Sequence, residues 1–169
     1  MKTTNHPFQS RIAYKGELKI LIDKVIDLYK LDKYKDHLVI EVGYEDFNIK
    51  LTTSKKNYLL KFFADFRNKE ECLRYVDIMS AAIKAGIQHP KLYKSSQGYF
   101  SEINIDNTKT RLVVIDFIDG KNFYELKIKP SPKEQEFIIK QVVKINQLQI
   151  KPKYLYDSWA AVNFVKEYE

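Results

Sequence analysis

The chain has 169 residues, of which 44% are hydrophobic and 14% aromatic, so it is long and apolar enough to fold around a core. Its net charge of +7 suits an anionic partner such as a phosphate or a nucleic acid, although the lysines are spread along the chain in short clusters. The single cysteine, Cys72, excludes an internal disulfide and a cysteine-cluster zinc site.

The amino terminus and the apolar runs bear on the location of the protein. The first ten residues are polar and do not resemble a signal peptide. No apolar run reaches the roughly 18 residues that a membrane-spanning helix needs. We therefore expect a cytoplasmic protein without a membrane partner.

The first predicted elements are one helix and three strands. Apolar residues recur at steps of three and four over Gly16 to Leu31, which predicts an amphipathic helix. Three short apolar runs then predict strands over His37 to Val42, Phe47 to Thr53 and Tyr58 to Phe63. The connections between the strands are short, as in an antiparallel meander, because parallel crossovers need a dozen or more residues.

A second helix follows the three strands. Asn68 is its predicted cap, with Glu70 and Glu71 in the first turn, where the helix dipole favours acidic side chains. Gly86 and Pro90 predict its end.

The remaining strands and helices complete the predicted order. Strands are predicted over Lys91 to Lys94, Gly98 to Ile105 and Arg111 to Ile118, with a hairpin turn over Asp106 to Thr110. Amphipathic periodicity then predicts a helix over Glu134 to Ile150, and the last segment, Tyr154 to Glu169, again has helical character.

This order predicts an α+β fold with an antiparallel sheet of about five strands and one packed helix, preceded by the helix over 16–31. The character of the chain changes from strands to helices near Ile118. We therefore predict a sheet domain over residues 1–118 and the first helices of a second region over 119–169.

Three segments of the sequence contain candidate binding residues. The first is Glu41-Val42-Gly43-Tyr44-Glu45-Asp46-Phe47-Asn48-Ile49, a turn between two strands in which Gly43 and Asp46 are the candidates. A glycine permits a tight turn, and free N–H groups there can bind a phosphate. A single glycine between two strands is also an ordinary turn residue, so the segment alone leaves both readings open.

The second segment is Tyr58-Leu59-Leu60-Lys61, which ends in a lysine within an otherwise apolar strand. Its ammonium needs a partner, because burying an unpaired charge is costly. Lys61 either binds an anion or marks the strand end and extends into water. The third segment, Ile115-Asp116-Phe117-Ile118-Asp119-Gly120, is an apolar strand that ends in an Asp-Gly turn, which is common in sheet proteins.

The order and spacing of the three segments, with Ala-Gly-Ile-Gln-His-Pro at 85–90 between the second and the third, resemble the amino-terminal lobe of the aminoglycoside phosphotransferase and choline-kinase-like family. The resemblance implies a protein-kinase-like fold that binds ATP or GTP with Mg²⁺. It implies that the turn at Gly43 covers the nucleotide phosphates, that Lys61 contacts them, and that the backbone of Asp116 and Ile118 hydrogen-bonds the adenine edge. Ile115 would lie at the back of the pocket.

The sequence departs from the family pattern on the second helix. The acid expected to pair with Lys61 would fall near Tyr75, so Glu71, one turn earlier, is the candidate partner and Asp77 is a second one. Glu71 is equally suited to compensating the helix dipole as a first-turn residue.

A second departure concerns the catalytic loop. No His-Gly-Asp-x-x-x-x-Asn sequence follows the third segment before Glu169. We therefore expect neither catalytic residues nor metal ligands within this chain, which reads as a truncated portion of a longer enzyme and would be inactive alone. The small-molecule acceptor would dock on the missing helical lobe, and exposed apolar residues between Phe137 and Trp159 are predicted to favour pairing of two chains.

Two other functions remain open at this point. The first is a non-catalytic kinase-like lobe that serves as a binding or regulatory module. The second is a basic nucleic-acid-binding domain, which would show steeply salt-dependent binding.

Overall fold

The structure, a computed structural model, describes residues 6–43 and 45–150, so the helix predicted over Tyr154 to Glu169 lies outside the described residues. The described part of the chain combines helices with an antiparallel sheet, which confirms the predicted α+β class. Its elements in chain order are a short 3₁₀ helix Pro7–Arg11, α1 Leu18–Tyr29, β1 Tyr34–Ile40, β2 Phe47–Thr53, β3 Asn57–Phe62, α2 Lys69–Lys84, β4 Leu92–Tyr93, β5 Phe100–Ile105, β6 Thr108–Asp116, α3 Phe123–Leu126 and α4 Pro132–Asn146.

The sheet runs in the order β1-β2-β3-β6-β4, and β5 also pairs with β6. Every pairing is antiparallel. The sheet has six strands, in keeping with the predicted sheet of about five, and the short β4 within the predicted strand Lys91 to Lys94 pairs with the end of β6. None of the helices in the described ranges is long and apolar enough to cross a lipid bilayer.

One face of the sheet packs against α1 and forms the main core. Side chains alternate between the two faces of a strand, and β2 follows this rule with every second residue buried from Phe47 to Thr53. The buried residues of β2 and β3 meet the apolar stripe of α1, which includes Leu21, Ile22 and Val25. The predicted helix and the three-strand meander are therefore confirmed.

The opposite face of the sheet is covered only in part. The β5–β6 half packs against α2 through a small cluster that includes Cys72, Val76, Phe100 and Val113. The part formed by β1, β2 and β3 carries polar and partly exposed side chains, and Leu38 of β1 is 65% exposed. We call this part the open face.

Helix α2 begins at the predicted cap. Asn68 and Glu71 form a reciprocal capping box, and Gly86 follows the helix with a φ of +71°, a conformation that favours glycine.

The hairpin between β5 and β6 is tighter than predicted. Asp106 and Asn107 both have a positive φ and make a two-residue turn. β6 therefore begins at Thr108 instead of Arg111, because the polar residues Thr108 and Thr110 belong to the strand.

The apolar side chains of α4 are exposed within the described residues, at 42% to 62% of their surface. They are Phe137, Ile138, Ile139, Val142, Val143 and Ile145. The predicted pairing of two chains through this surface stays a prediction, and Trp159 lies outside the described residues.

The segment before α1, which has no apolar periodicity, is part of the core. Gln9 is 1% exposed, and its side-chain amide donates hydrogen bonds to the backbone oxygens of Tyr14 at 3.2 Å and Gly16 at 2.7 Å. Ile12 and Tyr14 are buried beside it. A buried amide is stable when its hydrogen bonds are made, so this polar segment can line the core.

This packing predicts that Gly16→Ala destabilises the protein. An added Cβ would lie 2.5 Å from Tyr14 Cζ, and the buried tyrosine ring has little room to move. We expect a loss of about 1–3 kcal/mol in the free energy of unfolding, measured by urea denaturation. Gly120→Ala is the matched control, because nothing lies within 4 Å of its added Cβ. Equal stabilities of the two variants would contradict this account.

Candidate functional site

Lys61 lies on the open face of the sheet, near the cluster beneath α2. The strand register sets it directly opposite Asn48 of β2 and Val113 of β6. Leu59 lies two residues earlier on the same face, opposite Ile115. The Lys61 side chain is 26% exposed, so its ammonium is shielded from water on some sides and open on others.

Asp46 is the ion-pair partner of Lys61. One oxygen of its carboxylate, Oδ2, accepts a hydrogen bond from Lys61 Nζ. The other, Oδ1, accepts from the Ala64 N–H at 3.0 Å and makes an ionic contact of 3.4 Å with Arg67 Nε. The Asp46 side chain is only 10% exposed, so these charges interact through a poorly screened environment.

Arg67 connects the Lys61–Asp46 ion pair with α2. Its guanidinium is largely buried, forms an ion pair with Glu45 and lies 4.9 Å from the centre of the Tyr75 ring. Because Asp46 and Glu45 lie nearby, the pKa of Arg67 is raised even though burial opposes this shift. The family resemblance expects an acid on α2 at or near position 75. Tyr75 lies there instead, and the Arg67 guanidinium stacks on its ring.

Glu71, the predicted partner of Lys61, instead pairs with Asn68 at the start of α2. Its Oε2 accepts a hydrogen bond from the Asn68 N–H at 2.8 Å, and its own N–H donates to Asn68 Oδ1 at 2.9 Å. The structure thus pairs Lys61 with Asp46 and uses Glu71 to cap α2. Asp77, the second candidate, is exposed on α2.

The glycine turn lies near Asn48, the residue opposite Lys61 in the sheet. Gly43 has a φ of +104°, which other residues rarely adopt. The only atom within 4 Å of a Cβ built at this position, among the described residues, is Asn48 Nδ2, at 4.0 Å. Gly43 is exposed, so there is open space beside its backbone.

Asn48 is a candidate that the motif comparison missed. Its Oδ1 is buried and has no hydrogen-bond partner within the described residues. Buried polar atoms of native proteins nearly always have a partner, so Asn48 Oδ1 is a candidate acceptor for a ligand group. The sequence held a signal for Asn48, because strand alternation sets it on the same face as Lys61.

The segment after β6 brings a backbone donor to the edge of the open face. The Asp116 N–H donates to Lys91 O at 2.9 Å, which continues the sheet. No acceptor in the described part of the chain receives the Ile118 N–H. Ile115 is 8% exposed and Ile118 is 69% exposed, so the chain passes here from the core to the surface.

Two carboxylates fasten this segment to the sheet. Asp116 Oδ1 accepts hydrogen bonds from Lys56 Nζ at 2.7 Å and from the Tyr93 hydroxyl at 2.6 Å. Asp119 accepts from Lys50 Nζ at 2.5 Å and from Asn57 Nδ2 at 2.7 Å. The segment is therefore held against β2 and β3 at the end of the open face away from Gly43.

Within residues 6–43 and 45–150, no group of three or more His, Cys, Asp or Glu side chains is arranged to hold a metal ion. The acidic side chain next to Lys61, that of Asp46, is already engaged by Lys61 and Arg67.

The contacts of Asp119 predict a measurable pKa change. Hydrogen bonds from Lys50 and then Asn57 hold the pKa of the Asp119 carboxyl below its usual range. Lys50→Met should raise this pKa toward the ordinary value, because the neutral side chain no longer favours the charged carboxylate. A carboxyl ¹³C NMR titration measures it. The pKa of Glu134, lowered by hydrogen bonds from Ser131, should stay unchanged and serves as the control; an unaltered Asp119 pKa would contradict the contact.

Comparison with known proteins agrees with the fold. Neither a protein-family profile nor a curated protein matches the chain. Among solved structures, the chain is similar to a microcompartment-associated aminopropanol kinase, with a TM-score of 0.62 and 9% sequence identity over 90% of this chain. The alignment covers 49% of that kinase, so the chain spans about half its length. At this identity the similarity shows the fold alone, and that fold is kinase-like, with the described sheet and α2 as its amino-terminal lobe.

Proposed function

We propose that the chain is the nucleotide-binding part of a small-molecule phosphotransferase. Residues 1–118 would form the nucleotide-binding lobe, and 119–169 the exit of the hinge and the first helices of a helical lobe. The observation that carries the proposal is Lys61, a partly exposed lysine on the open face of a kinase-like sheet. A cation in that position suits the phosphates of ATP or GTP.

The phosphate end of the proposed site lies between Lys61 and the turn at Gly43. An ammonium has three hydrogens, and Lys61 directs one to Asp46, so the others are available to phosphate oxygens. The turn at Gly43 would contribute backbone N–H groups, and the Asn48 amide lies between the two. Directed donors of this kind bind phosphates in many proteins.

The base end of the proposed site lies at the segment after β6. The Ile118 N–H and the Asp116 carbonyl would hydrogen-bond the edge of the adenine. Leu59 and Ile115, which lie opposite each other in the sheet, would supply apolar contacts to the ring. The same backbone contacts are compatible with ATP and with GTP.

Phosphoryl transfer needs more than these residues supply. In kinases Mg²⁺ neutralises charge on the transferred phosphoryl group, and a carboxylate accepts the proton of the acceptor hydroxyl. We propose that both functions, and the binding of the alcohol acceptor, belong to a longer protein. In such a protein, the exposed apolar side chains of α4 would pack against the remaining helices.

The basic charge of the chain gives weaker support to nucleic-acid binding. Three lysines on or beside the open face, Lys50, Lys56 and Lys61, each form an ion pair with an aspartate. Paired lysines contribute less to a positive field than free ones do, so this face does not present the basic patch that such a domain uses.

Replacing Lys61 tests the proposal. We expect the 169-residue chain to bind Mg-ATP weakly and Lys61→Met to bind it about 10–100-fold more weakly still, since a charge-assisted hydrogen bond contributes about 1.5–3 kcal/mol. Isothermal titration calorimetry gives both affinities. Lys109→Met removes the same charge from an exposed position near the β5–β6 turn and should bind as the parent does.

Three results would contradict the proposal. Absence of any nucleotide binding by the parent chain would favour the non-catalytic module, and equal losses in both lysine variants would mean that only net charge matters. Tight, steeply salt-dependent binding of RNA or DNA without nucleotide binding would favour the nucleic-acid domain.

A further inference from the structure

The partner of Lys61 comes from an unexpected part of the chain. Asp46 lies at the end of the glycine turn, 15 residues before Lys61, and reaches it across the β2–β3 pair. The helix residues near the expected position are engaged otherwise, since Glu71 caps α2 and Tyr75 lies under Arg67.

We propose that Asp46 is the positioning residue for Lys61 in nucleotide binding, in place of an acid on α2. This inference rests on the proposed function, because it concerns the same phosphate-binding end of the site. It assigns the orientation of the lysine to the turn that would cover the phosphates rather than to the helix.

Asp46 is itself held in place, which a positioning residue must be. Its Oδ1 accepts from the Ala64 N–H and contacts Arg67, and its backbone oxygen accepts from Arg11 at 3.1 Å. The Ala64 N–H and Arg67 therefore hold the carboxylate, which is 10% exposed, and Arg11 holds the backbone of the same residue. Because these contacts fix the carboxylate, Lys61 loses little further rotamer freedom when a phosphate arrives.

The pair leaves Lys61 able to bind a ligand. The lysine side chain is more exposed than that of Asp46, 26% against 10%, so its open side faces solvent and the carboxylate lies behind it. Asp46 thus orients Lys61 without covering it, and a phosphate adds to the ion pair rather than replacing it.

The experiment compares Asp46→Asn with Glu71→Gln, which remove the same charge from the two candidate partners. Calorimetry with Mg-ATP, Mg-ADP and adenosine is run on the 169-residue chain. We expect Asp46→Asn to weaken both phosphorylated ligands about tenfold and to leave adenosine unchanged, since adenosine does not reach Lys61. Glu71→Gln should leave all three affinities unchanged and lower the melting temperature only slightly, because glutamine can keep the capping hydrogen bond and only the favourable charge in the first turn of α2 is lost.

A double-mutant cycle separates positioning from a general structural role. If Asp46 acts through Lys61, Asp46→Asn should cause no further loss of ATP affinity in the Lys61→Met background. A loss that persists there, or one that extends to adenosine, would overturn the inference in favour of a structural role. Tighter ATP binding by Asp46→Asn would overturn it as well, because Asp46 would then compete with the phosphate.

The outcomes also distinguish this inference from the proposed function. If the parent chain binds ATP and Lys61→Met weakens it, but Glu71→Gln causes the loss expected of Asp46→Asn, only the role of Asp46 is wrong. If the parent chain binds no nucleotide, the proposed function fails and this inference fails with it.

Discussion

The alternation of side chains along β2 and β3 is the constraint on which the fold and the candidate site both depend. Because of it, every second residue of β2 from Phe47 to Thr53 is buried on the side of the sheet that packs against α1. A slip of one residue in the register would turn Phe62 outward and Lys61 into the apolar core. Because a buried, unpaired ammonium is strongly unfavourable, the core packing itself selects the arrangement with Lys61 on the open face.

The same constraint explains why much of the fold could be predicted from the sequence. Helix α1, the meander and α2 each carry their own periodicity, and β2 has the predicted bounds, Phe47 to Thr53. The segment at 7–11 could not be predicted in this way. Its buried residue, Gln9, is polar and is stabilised by hydrogen bonds to Tyr14 and Gly16, which hydrophobic periodicity does not record.

The candidate site was predictable to a lesser degree, because its contacts join residues that are distant in sequence. Motif spacing selected Lys61 and Asp46 separately, and strand alternation sets Asn48 beside the lysine. Their pairing depends on the register of β2 on β3 and on the path of the turn, neither of which follows from local pattern. Glu71 on α2 is the predicted partner of Lys61, but its side chain contacts Asn68 within one turn of its own helix.

The charges around the open face bear on how a nucleotide would be recognised. The chain carries an excess of seven positive charges, but Lys50, Lys56 and Lys61 are each matched by an aspartate. An anion approaching this face meets little net local charge, so long-range attraction must come from the rest of the surface. Selection of a nucleotide over other anions at the open face would then depend on hydrogen-bond donors with fixed directions. A lysine oriented by a buried carboxylate is better suited to that task than a mobile lysine.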